Sequence, residues 1–120
     1  MSLESSLENA TKVYQKLQKD LTNAVENLQK LDSQLQENEI VQKEFNLLKD
    51  DSNIYKLVGP VLIKQEKVEA TENVGRRLDL IRSDIKRVDD QIKDLTEKLE
   101  KKKIEIVQLN ASLTQQETKS

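Results

Sequence analysis

Two heptad stripes, separated by a short β-branched segment, constrain this chain more than anything else in its sequence. Leu3, Leu7, Ala10, Tyr14, Leu17, Leu21, Ala24, Leu28, Leu31 and Leu35 are spaced alternately four and three residues apart. Val74, Leu78, Ile81, Ile85, Val88, Ile92, Leu95, Leu99, Lys102, Ile106, Leu109 and Leu113 repeat the pattern. Such spacing gathers the apolar side chains on one edge of a helix, and that edge must be covered by another helix. Between the stripes lies Ile54-Tyr55-Lys56-Leu57-Val58-Gly59-Pro60-Val61-Leu62-Ile63. The expected fold is mainly α: a long antiparallel two-helix coiled coil with one β-hairpin at the bend.

Composition agrees with an extended chain. Apolar residues make up 35% and charged residues 35%, against roughly 45–50% and 25% in globular domains. A globular core needs apolar residues on several faces of several elements, whereas here they follow one narrow line per helix. Cysteine and histidine are absent, which removes a thiolate nucleophile, the usual general base near neutral pH and the commonest metal ligand. Paired acids such as Asp89-Asp90 point apart on a helix and read as solvated. No enzyme and no cofactor is expected.

Lysine and arginine total 20, aspartate and glutamate 22, and the balance stays flat along the chain. Neither nucleic acid nor membrane binding is expected without a basic excess. The run Lys101-Lys102-Lys103 is flanked by Glu97, Glu100 and Glu105 and reads as a solvated helix face. The first residues carry Glu4 and Glu8 where a secretory signal is basic and apolar. No apolar run approaches the roughly 20 residues of a membrane span. A cytoplasmic protein is the expectation.

The periodicity predicts one unit over residues 1–120: a first helix over 3–49, the hairpin over 54–65, a second helix over 68–113, and a frayed tail over 114–120. The first stripe falters at Asn38, beyond which Val41, Phe45 and Leu48 continue it with three residues inserted, a stammer that overwinds a coiled coil. Gly75, inside the second helix, costs about 1 kcal/mol relative to alanine; close approach of another backbone is one reason to keep it. Ile54, Val58, Val61 and Ile63 cannot all share a side with Tyr55, Leu57 and Leu62, because side chains alternate across a strand. A two-faced apolar hairpin with bare edges is marginal in water. Pairing with strands from other chains is the economical solution.

The residues then resemble a known family, the β class of prefoldin subunits. The matching words are Leu28-Gln29-Lys30-Leu31, Gln34-Leu35-Gln36-Glu37-Asn38, Glu44-Phe45, Tyr55 through Gln65, and Asn73-Val74-Gly75-Arg76-Arg77-Leu78 followed by Ile81, the last looking most like the eukaryotic members. The resemblance spans residues about 10 to 113, and one hairpin rather than two favours the β class. It implies a heterohexamer of α- and β-class subunits, with hairpins joined in β-barrels and coiled coils hanging free. Such complexes bind unfolded clients, notably actin and tubulin, without ATP and pass them to the cytosolic group II chaperonin. The glycines number two, too few for a phosphate-binding loop.

In that family clients are held at the coiled-coil tips. The tip here joins the start of the first helix to the end of the second, and its candidates are Leu3, Leu7, Ala10, Val13, Ile106, Val107, Leu109 and Leu113. Leu3, Val13 and Val107 suit clients best, being terminal or off the main stripe, while the others also serve to close the seam. The assembly candidates are Ile54, Tyr55, Leu57, Val58, Val61, Leu62 and Ile63. The competing reading is a structural coiled-coil tether or adaptor without chaperone activity, which has the same heptads but no use for such a hairpin. An antiparallel register in which paired residue numbers sum to about 116 sets a against d throughout. It places Tyr14 beside Lys102, so that the lysine stem lies on the ring while its ammonium reaches water. A sum of about 123 places Lys102 against Leu21 instead.

Overall fold

A computed structural model of the chain describes the backbone of residues 2–51 and 60–119 and the side chains of residues 2–47 and 67–117. Two helices account for it, α1 (Leu3–Asp51) and α2 (Pro60–Lys119). Ser2 caps α1: its Oγ accepts from the Ser5 amide at 3.1 Å, and its carbonyl accepts from Ser6 at 3.0 Å. Glu4 in the first turn complements the helix dipole. Threonines inside the helices satisfy their hydroxyls on the carbonyl four residues back, as Thr11 does on Leu7 at 2.8 Å and Thr96 on Ile92 at 2.7 Å.

The chain divides into two compact units, Met1–Asn27 with Val88–Ser120, and Leu28–Arg87. In each, a stretch of α1 runs antiparallel to a stretch of α2. The core of the second unit is Val74, Leu78 and Ile81; that of the first is Ala10 and Val88, with Leu78 and Val88 only 1% exposed. All five lie on the heptad stripes. The other described stripe residues are half-buried, because in a two-helix pair a seam side chain is covered by one partner helix and keeps an edge toward solvent. Full burial of one such side chain is worth roughly 1.5–3 kcal/mol.

Within the first unit the register can be read from the grooves between helices. Lys102 borders one groove with Ala10 and Val13, and another with Val13 and Leu17. It therefore stands at the level of Tyr14, as the pairing that sums to about 116 requires. Its ammonium pairs with Glu105 Oε2 at 2.7 Å, one turn along α2. The stem fills a seam position while the charge is met at the rim.

Three boundaries differ from the sequence expectation. Helix α1 ends at Asp51 rather than 49, and α2 continues to Lys119, through the segment expected to fray from 114. Nothing between Leu113 and Lys119 breaks a helix, and the Thr114 hydroxyl bonds Asn110 O at 2.9 Å. Helix α2 also starts at Pro60 rather than 68. Proline suits a first helical turn, where its missing N–H is not needed, and a lone two-stranded hairpin is marginal. Among the described residues there is no strand. Of the hairpin residues, Ile54, Tyr55, Leu57 and Val58 lie outside the described residues, as do the side chains of Val61, Leu62 and Ile63.

Candidate functional site

The eight tip candidates all belong to the first unit, and their positions separate them into two sets. Ala10 is 3% exposed, and Leu3, Leu7, Ile106, Leu109 and Leu113 are half-buried. These six occupy stripe positions and close the seam. Val13 and Val107 stand outside it, 44% and 60% exposed. Leu3, although terminal, keeps company with the seam residues.

Sequence reasoning missed one neighbour. Ile104 is 50% exposed, and it lies three residues before Val107, so the two share a face of α2. An isolated off-stripe apolar residue gives no periodic signal. The spacing Ile104–Val107 was nevertheless visible as a second, shorter line along the same helix.

Val13 also forms part of the floor of two shallow, open grooves. One is bounded by Ser6, Asn9, Ala10, Val13, Lys102 and Glu105, the other by Val13, Leu17, Lys98, Lys101, Lys102 and Glu105. Their apolar floor is narrow and their rim is ionic. Lys98 pairs with Asp94 at 3.0 Å and Lys102 with Glu105 at 2.7 Å. Such a surface can hold a short apolar side chain with a polar backbone beside it, but cannot enclose a small molecule.

A third groove in this unit is lined by Asp20, Asn23, Ala24, Asn27, Gln91, Asp94 and Leu95. It exists because Ala24 is too small to fill its seam position. Its walls are amides and two carboxylates, one of them already paired with Lys98. They supply no nucleophile with an adjacent base. Among the described residues no three acidic side chains stand close enough to hold a metal ion, and no helix is long and apolar enough to cross a membrane.

Comparison with known proteins gives a consistent answer. The sequence profile described as prefoldin subunit matches residues 8–113. Prefoldin subunit 6 of Bos taurus is 43% identical over 107 residues, covering 89% of this chain and 83% of the relative. That of Arabidopsis thaliana is 41% identical over 111 residues, covering 92% and 86%. That of Saccharomyces cerevisiae is 45% identical over 97 residues, covering 81% and 85%. No solved structure gives a significant match.

Proposed function

The chain belongs to the prefoldin subunit family, and we propose that it works in the cytoplasm within a hexamer of α- and β-class subunits. It is a non-enzymatic member of a chaperone complex that delivers unfolded proteins to a chaperonin. In the reading proposed here, its coiled-coil tip takes part in holding clients such as actin and tubulin, and the receiver is the group II chaperonin. The observation that carries this reading is the family match across residues 8–113, which takes in most of both helices and the whole segment between them.

The physical argument for the tip rests on Val13, Val107 and Ile104. Each is an apolar side chain on an ionic surface, in the unit that joins the start of α1 to the end of α2. An unfolded polypeptide exposes apolar side chains of its own. One contact of this kind is worth roughly 1.5–3 kcal/mol, so a single tip binds weakly. Several tips acting on one client gain through effective concentration. Release then needs no nucleotide, since each contact breaks separately.

Assembly is assigned to the segment from Ile54 to Ile63. Its two-faced apolar pattern supports pairing with the strands of sister subunits, because neither face nor edge is then left in water. In the complex the Val61–Ile63 stretch takes the strand role. Purification of the tagged chain from cells, followed by native mass spectrometry, tests this reading. A mixed hexamer is expected. A monomer or homodimer as the stable cellular form would overturn it.

A further inference from the structure

Residues 106–116 carry no charged side chain, eleven in succession, in a chain of which 35% is charged. The next longest uncharged run is the seven residues 57–63, inside the segment assigned to assembly. The side of α2 turned away from the seam can be followed in steps of three and four residues. Within the first unit it reads Asp90, Asp94, Glu97 and Lys101, and then Ile104, Gln108, Ala111 and Gln115, all of them exposed. Val107, 60% exposed, stands beside the second set. One continuous outward face thus changes at Ile104 from ionic to uncharged.

Contact with water alone does not account for the change. A helix face that meets only water is served by charged side chains paired one turn apart, as Asp94 and Lys98 are at 3.0 Å. Beyond Lys101 that device stops. Ile104 and Val107 present apolar groups to solvent instead, and both are poorer helix formers than lysine or glutamate. Nothing in the unit covers this face, so no packing within the chain offsets the loss.

We propose that the outward face of α2 from Ile104 to Gln115 is where this subunit takes a client, and that it selects an extended segment that is apolar and uncharged. The occupant follows from what the face lacks. A charged segment laid on it gives up hydration and finds no counter-charge. A peptide group finds the amide of Gln108, which both donates and accepts. Apolar side chains of the client find Ile104, Val107 and Ala111. A nucleic acid, which needs cations, finds none there. The groove at Val13 differs, because lysines and Glu105 form its rim. This assignment rests on the client role proposed above, and adds to it the face that is used and the exclusion of charge of either sign.

The test is Ala111→p-benzoylphenylalanine in the full chain, assembled into the complex and irradiated with a biotinylated peptide of leucine, serine and glycine. Two counterparts have serines replaced by aspartate or by lysine. The uncharged peptide is expected to label the subunit, and each charged counterpart to label it about tenfold less. Labelling by the uncharged peptide should change less than about twofold between low salt and about 0.5 M salt. Asp90→p-benzoylphenylalanine, on the ionic part of the same face, should label weakly with all three. Labelling from position 111 that is absent, indifferent to peptide charge, stronger for one sign of charge, or no greater than from position 90 overturns the proposal. So does a cross-link from position 111 to a sister subunit in place of the peptide. If that complex still suppresses aggregation of a diluted unfolded client, the client role stands and only the assignment to this face falls. A complex without such suppression, or a chain that enters no hexamer, overturns both.

Discussion

Arg82 reaches from α2 to within 3.6 Å of Glu39 on α1, tying the two helices of the second unit together across the edge of their seam. Both side chains remain about half exposed, at 53% and 44%, so solvent screens the pair. Its coupling, measured by a double-mutant cycle with Arg82→Gln and Glu39→Gln in urea, is expected at about 0.2–1 kcal/mol. It should largely vanish at about 1 M salt. A coupling that survives salt would mean that the pair is far less hydrated than its exposure indicates.

Leu78 and Leu80 provide a contrast within one turn of α2. Leu78 is 1% exposed and Leu80 is 63% exposed. Leu78→Ala is expected to cost about 2–5 kcal/mol through lost burial and the cavity left behind. Leu80→Ala should lie within about 0.5 kcal/mol of the parent. Chemical denaturation followed by circular dichroism separates the two, and equal costs would contradict the orientation of this helix.

Gly75 has nothing within 4 Å of the position a Cβ would take. Among the described residues no backbone outside its own turn of helix approaches it, so the close approach considered from the sequence is not made there. Gly75→Ala should therefore stabilise the isolated chain by about 1 kcal/mol, the difference in helix propensity. A fall in melting temperature would show that the site is less open than it appears from its neighbours.

Lys102 fills its seam position with its stem, but its ammonium is held out at the rim, where a leucine would bury a wholly apolar side chain against Tyr14. Lys102→Leu should raise the midpoint of urea unfolding, by an amount equivalent to about 1 kcal/mol. Glu105, deprived of its 2.7 Å partner, is exposed enough to be solvated instead. An unchanged or lowered midpoint would indicate that the lysine stem already fills the layer against Tyr14.

At the tip, Val13→Ser with Val107→Ser should leave stability within about 0.5 kcal/mol, since both residues are exposed. Suppression of aggregation of a diluted unfolded client, followed by light scattering, should weaken about two- to fivefold, because other tips still contribute. Full suppression by a complex carrying the double variant would remove these two residues from the client surface.

Much of this was legible in the sequence, for one physical reason. A helix pair buries a single line of residues, so the line can be read directly from spacing. Ala10, Val74, Leu78, Ile81 and Val88, the buried set, all stand on it, and the pairing of levels around Lys102 follows from heptad counting. What spacing does not encode is where a helix stops. Pro60 permits a strand start or a helix start equally, and the polar run after Leu113 has no breaker to announce an end. Nor does spacing single out Leu80, Ile40 or Ile104. Each is one apolar residue on a charged face, and its exposure becomes apparent only when the seam has been located in three dimensions. Leu3, named as a client candidate because it is terminal, is half-buried with the other stripe residues.

The half-burial of nearly every seam side chain has a consequence for how such a protein withstands mutation. In a globular core a lost side chain is felt on all sides, and damage spreads through the packing. Here each layer has neighbours only above and below, as links do in a zip. A defect at one layer is confined to the turn that contains it, and adjoining layers keep their own contacts. Sequence can then drift layer by layer without a compensating change elsewhere.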